Sequence, residues 1–191
     1  LAVADTLPAL EEVAIVGQVV DDQGREAAGY QGQAWVQAFD SSVPSDLDGL
    51  VYSQVGANLL RGLFPVVDGR LQARFRVPKD ITYRGTNGRV SAYAWNDVAP
   101  AAFGSVAGLV LAGTAAGVEV DATGPQIELT FVGRPQFTSG DAIPPDAVLR
   151  ATIADPGGIN VTGETGHEIQ LTVDGEVAAV TESFVADGDY R

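Results

Sequence analysis

The chain has 191 residues, with 11 basic and 25 acidic side chains and a net charge of −14. That balance excludes a nucleic-acid partner held by phosphate contacts, which needs a basic surface. The absence of cysteine excludes disulfides, thiolate metal sites and a cysteine nucleophile within this chain. Hydrophobic residues at 46% can bury a core, and 23 glycines with 10 prolines point to an all-β protein with many turns.

In chain order, residues 1–12 read as a lead-in segment, where Pro8 argues against an early strand or helix. Val13–Val20 is a first strand, and Gln33–Phe39, carrying Trp35, a second. The polar stretch DSSVPSDLDG reads as a loop. Leu59–Trp95 then organises the chain. Asp68-Gly69 supplies two residues that tolerate positive φ, as a type I′ hairpin loop requires. With Val67 facing Arg70, the inner pairs follow: Val66 with Leu71, Phe64 with Ala73, Gly62 with Phe75, Leu60 with Val77. The other face pairs Pro65 with Gln72, Leu63 with Arg74 and Arg61 with Arg76. A one-residue slip would bury arginines, so the register is well specified.

Asn87-Gly88 gives a second turn signal, and Arg89–Asn96 another strand. Val98–Val118 contains no charged residue. Its length suits a membrane span, but Pro100 interrupts it and flanking Lys or Arg anchors are missing. The expected reading is a buried strand near Leu109–Ala112 between two loops, with no membrane insertion.

Residues 121–125 read as a linker between a β-sandwich domain over 13–120 and a partial immunoglobulin-like domain over 126–191. In the second, Ile127, Leu129 and Phe131 alternate with polar residues, as do Leu149, Ala151 and Ile153, then Ile169, Leu171 and Val173. Asp174-Gly175 marks a hairpin. Four strands are expected where a complete immunoglobulin-like sandwich needs about seven, so this second domain reads as truncated.

Several runs resemble a known family. Gly62, Asp68-Gly69, Phe75, Val77-Pro78-Lys79-Asp80-Ile81, Tyr83, Gly85, Gly88, Tyr93 and Ala94 fit the β region downstream of the catalytic domain in gingipain-family cysteine peptidases. The fit is nearest to the type IX secretion sortase group. Gly124-Pro125 fits as well, as do Asp155, Gly158-Ile159-Asn160, Gly163, Gly166-His167, Ile169 and Asp174-Gly175. The resemblance implies tandem immunoglobulin-like β-sandwiches that position an upstream peptidase domain or dock other secretion-system or surface proteins. It implies a location on the extracellular face of the outer membrane. The family's catalytic cysteine and histidine have no counterpart here, so the chain is not expected to be an enzyme.

The residues offer little chemistry of their own. His167 is the single histidine, lacks a G-x-S-x-G partner, and is expected to stabilise a turn. Candidate calcium ligands are Asp46 with Asp48, Asp155 with Asn160, and Asp187 with Asp189. None has the full EF-hand spacing, so solvated turns are the expected reading and no cofactor is expected. Trp35, Tyr83, Tyr93 and Trp95 could form a platform for sugar or peptide, but core packing is the expected use of these rings. A free-standing carbohydrate- or protein-binding adhesion module is the alternative function.

Overall fold

The structure, a computed structural model, describes residues 1–118, 123–163 and 166–187. It is all-β. Nine strands occupy the first part: β1 (Thr6–Ala9), β2 (Glu12–Gln18), β3 (Gly32–Phe39), β4 (Val43–Leu47), β5 (Leu50–Gln54), β6 (Asn58–Val67), β7 (Arg70–Arg76), β8 (Gly85–Trp95) and β9 (Ala102–Thr114). Four follow: β10 (Gln126–Phe131), β11 (Leu149–Ala154), β12 (Gln170–Val173) and β13 (Glu176–Ala179), with a 3-10 turn at Thr181–Ser183.

Seven strands form one sheet in the order β1-β9-β8-β3-β6-β7-β2. Period-two alternation decides what is inside. Ala34, Val36 and Ala38 on β3, Phe64 and Val66 on β6, Leu71, Ala73 and Phe75 on β7, and Val90, Ala92 and Ala94 on β8 all point into one core. Val13 and Ile15 on β2, with Leu109 and Leu111 on β9, complete it. One sheet can surround one core because it folds back on itself. Ala2 exchanges two backbone hydrogen bonds with Val16 of β2 (2.8 and 2.9 Å), while β1 runs parallel to β9. The N-terminal segment therefore joins the two ends of the sheet.

This overturns the reading of residues 1–12 as strand-free. Pro8 lies within β1, a terminal strand of the sheet, where a missing N–H does not interrupt a central ladder. Three other expectations change. The 40–49 stretch is not a loop: it holds β4 and the turn of a β4–β5 hairpin, with Asp48 (φ 51°) and Gly49 (φ 89°) at that turn. Asn87-Gly88 is not a turn but an irregularity inside β8; the turn comes earlier, where Gly85 N donates to Thr82 O at 2.8 Å. The uncharged run forms the 13-residue strand β9, longer than the buried strand expected at 109–112. No helix among the described residues is long and apolar enough to cross a membrane.

The Asp68-Gly69 hairpin forms with the expected turn geometry (φ 51° and 74°) and the expected first rungs, Val67 with Arg70 and Val66 with Leu71. There the ladder stops. The pairs written further out do not form: β6 continues against β3, and β7 turns away to pair with β2 along its whole length. The break falls at Pro65, which has no N–H to donate to the next rung.

Beyond residue 125, β10 pairs with β11 and β12 with β13, each as a separate two-stranded ribbon. Asp174-Gly175 forms the β12–β13 turn, with φ of 52° and 86°. The assumed linker and the end of the first domain fall partly outside the described residues.

Candidate functional site

The departure of β7 from β6 leaves an unpaired edge on β6, and the chain uses it. Leu63 N donates to Ala186 O at 2.8 Å, and Ala186 N donates to Arg61 O at 2.9 Å, so residues near 186 add to β6 as a short parallel strand. Gly62 permits the approach: a Cβ there would collide with the Phe64 ring and crowd Ala186 O at 2.9 Å.

Arg61 secures this addition. Its side chain is almost fully covered. Nη2 donates to Thr181 O at 3.0 Å, Nε donates to Phe184 O at 3.2 Å, and Nη1 pairs with the Glu182 carboxylate. The planar guanidinium suits this work, because it presents several fixed donors to carbonyls in and just after the 3-10 turn. A second tie lies at Asp80, in the segment after β7. Its Oδ2 accepts from Asn160 Nδ2 at 3.0 Å and lies 3.1 Å from His167 Nε2.

Between these ties runs a cleft of about 570 Å³. Leu59, Phe75, Ile153, Val161 and Phe184 supply apolar walls, and Arg76 and Arg150 supply charge. Arg76 Nε is buried without a hydrogen-bond partner. Thr152 and Ser183 bring hydroxyls to the lining, and among the described residues no histidine or cysteine lines the cleft beside them.

The candidate calcium ligands are dispersed. Asp46 Oδ1 accepts from Gly49 N at 2.8 Å, which makes the Asp46–Asp48 pair part of the β4–β5 turn. Asp155 is buried and accepts from Gly157 N at 2.6 Å; Asn160 accepts from Thr162 N at 3.0 Å. Asp187 follows the Ala186 bridge, and Asp189 lies outside the described residues. Among the described residues no three His, Cys, Asp or Glu side chains converge as a metal site would require. The acids whose titration moves sit in exposed turns: Asp21 is lowered by the Arg25 backbone N–H and guanidinium, and Asp141 by Thr138 N–H and hydroxyl.

The aromatic residues overturn the expectation of core packing. Trp35, Tyr93 and Trp95 lie on the outer face of the sheet, opposite the core, and Tyr83 sits in the exposed segment before β8. The register explains this. Ala34, Val36, Ala92 and Ala94 take the inner positions, so their neighbours must face outward. Arg61 is the functional residue that sequence reasoning missed. It appeared there as one of two facing surface arginines, and its real partners lie some 120 positions downstream.

An all-β chain with this sheet and this junction can be compared with known proteins. No protein-family model and no curated protein sequence matches it. Among solved structures, the crystal structure of dimeric latent PorU from Porphyromonas gingivalis is similar, with a TM-score of 0.59 and 28% sequence identity. The alignment covers 93% of this chain and 18% of PorU, so the chain spans under a fifth of that protein's length. The fold is PorU-related.

Proposed function

We propose that this chain is a non-catalytic accessory β region of a gingipain-like cysteine peptidase of the type IX secretion sortase kind, carried at the cell surface. Its role is to position an upstream peptidase domain or dock it to secretion partners. One observation carries the reading. The PorU similarity covers 93% of the chain and so runs through both β regions and the junction between them. A region whose two parts are tied by Arg61, Asp80 and the Ala186 bridge has a fixed shape, as a positioning element needs. Tandem immunoglobulin-like domains are the architecture that goes with this role, and the role needs no cofactor.

The test is to mix the chain with the purified peptidase domain of its parent protein. Binding that shifts the peptidase's Tm or activity supports positioning. Peptide cleavage by the chain alone, lost in His167→Ala, would refute it.

A further inference from the structure

The outer face of the large sheet has a pattern that positioning alone does not use. The register places Leu63 of β6, Trp35 of β3, Tyr93 of β8 and Phe103 of β9 side by side in one row across four strands. Three inter-strand spacings make that row about 14 Å long. Phe103 is 72% exposed and Tyr93 is 48% exposed. Trp95 adds a ring beside Tyr93, with centroids 5.8 Å apart and planes 28° from parallel.

The adjacent row is polar. Gln37 faces Ser91 across β3 and β8, and Ser91 faces Ser105 across β8 and β9. These three side chains make no hydrogen bond among the described residues. A strip of flat rings thus lies parallel to a strip of unused amide and hydroxyl groups.

The charge of this face is selective. β3, β6, β8 and β9 contain no Asp or Glu, in a chain that has 25. The arginines bordering the face are engaged: Arg61 with the 181–184 turn, and Arg89 over the Phe39 ring at 5.0 Å. The face neither repels nor recruits charge.

We infer that this outer face binds a neutral oligosaccharide, whose apolar C–H faces stack on the Trp35–Tyr93–Phe103 row while its hydroxyls meet Gln37, Ser91 and Ser105. Aromatic rings offer a large apolar contact at low entropic cost, and a few placed polar groups fix orientation. A protein-docking core is a broader apolar patch with its polar groups at the rim. Here the apolar strip is a single row thickened only at Trp95, and its polar neighbour runs alongside it, which matches the two chemical edges of a sugar chain.

The chain's two tryptophans, Trp35 and Trp95, both lie on this face, so intrinsic fluorescence reads its occupancy directly. The experiment is native electrophoresis of the full chain through gels containing hydroxyethyl cellulose, galactomannan or soluble starch, with alginate as the anionic comparison. Retardation is expected in a neutral gel and not in alginate, with a shift in tryptophan emission on adding the same polymer. Tyr93→Ala and Phe103→Ala each weaken the retardation about fivefold, the loss of one stacked ring. Both are exposed, and an unchanged Tm shows that each variant folds. Tyr52→Ala, an exposed ring on β5, keeps full retardation. Three outcomes overturn the inference: no retardation in any neutral gel, retardation indifferent to both substitutions, or an emission change that follows protein concentration and marks self-association instead.

Discussion

The two β regions use the same strand chemistry and reach opposite ends of the stability range. In the first, every strand of the seven-stranded sheet turns one face into a shared core, and Leu7, Ile15, Ala34, Val36, Ala38, Val77, Val90 and Leu111 are fully excluded from solvent. In the second, β10 and β11 bring Ile127, Leu129 and Phe131 opposite Ile153, Ala151 and Leu149, a well-matched apolar face. Yet Ile127 is 62% exposed and Leu129 is 58% exposed. A two-stranded ribbon is marginal in water even with good cross-strand pairs. Alternation makes a strand, but only a covering layer turns it into stability. The second region therefore depends on its ties to the first.

Three substitutions test that dependence, and a fourth probes the first region by itself. Phe64→Ala empties the centre of the first core and should cost about 3–5 kcal/mol, lowering the Tm of the whole chain, because the second region has nothing else to lean on. Loss of only the first region's signal in thermal unfolding would show the two to be independent. Arg61→Ala takes the guanidinium donor from Phe184 O and one of two donors from Thr181 O, which keeps the Phe184 N–H, and should cost about 2 kcal/mol. The expected reading is local: amide hydrogen exchange accelerates at Leu171 and Val177 and not at Ala34 or Val36. Equal acceleration everywhere would contradict a tie that serves one region.

Asp80→Ala removes the acceptor shared by Asn160 and His167 on a half-exposed side chain, so screening limits its cost to about 0.5–1 kcal/mol. Faster exchange near Asn160 with little change in Tm is the expected result. The smallest effect concerns the first region alone. Burial, and then nearby Tyr93, raise the Tyr30 hydroxyl above its ordinary value of 10.0. A raised folded-state value gives stability that is complete below the ordinary tyrosine range and falls as pH climbs through and above it. Tyr30→Phe should flatten the decline in Tm between about pH 9 and pH 11. An unchanged slope would assign the alkaline loss to other groups.

What could be read from the sequence follows the range of the forces involved. The Asp68-Gly69 and Asp174-Gly175 turns are local chemistry, and both formed as written. The strands with clean alternation were placed to within a few residues for the same reason. Alternation reports that a strand has two faces, but not how many residues its partner follows. The hairpin pairs beyond Val66 failed because Pro65 acts on the ladder and not on the pattern. The aromatic residues were assigned inward because rings dominate cores, whereas Ala34, Val36, Ala92 and Ala94 fill this core with smaller groups. The polar 40–49 stretch hid half of a hairpin because the hairpin's strands bury little: Leu47, Leu50 and Val51 are all exposed. Arg61 was illegible in principle, since nothing near it announces the carbonyls of the 181–184 turn.

The parallel pairing of β1 with β9 has a consequence for the order of events during synthesis. Thr6 pairs with Val110, and Leu7 with Leu111, so β1 lacks its ladder partner until most of the first region has been translated. Until then Leu7 and Ala9, both fully buried at the end, remain exposed on a waiting segment. Contacts of such long sequence separation slow folding, because loop closure comes before the reward. The ribbon of β2 and β7 and the β3–β6–β8 ladder can assemble first. The N-terminal segment then acts as the last stave to be fitted, and the folding rate of this protein should be set by its capture.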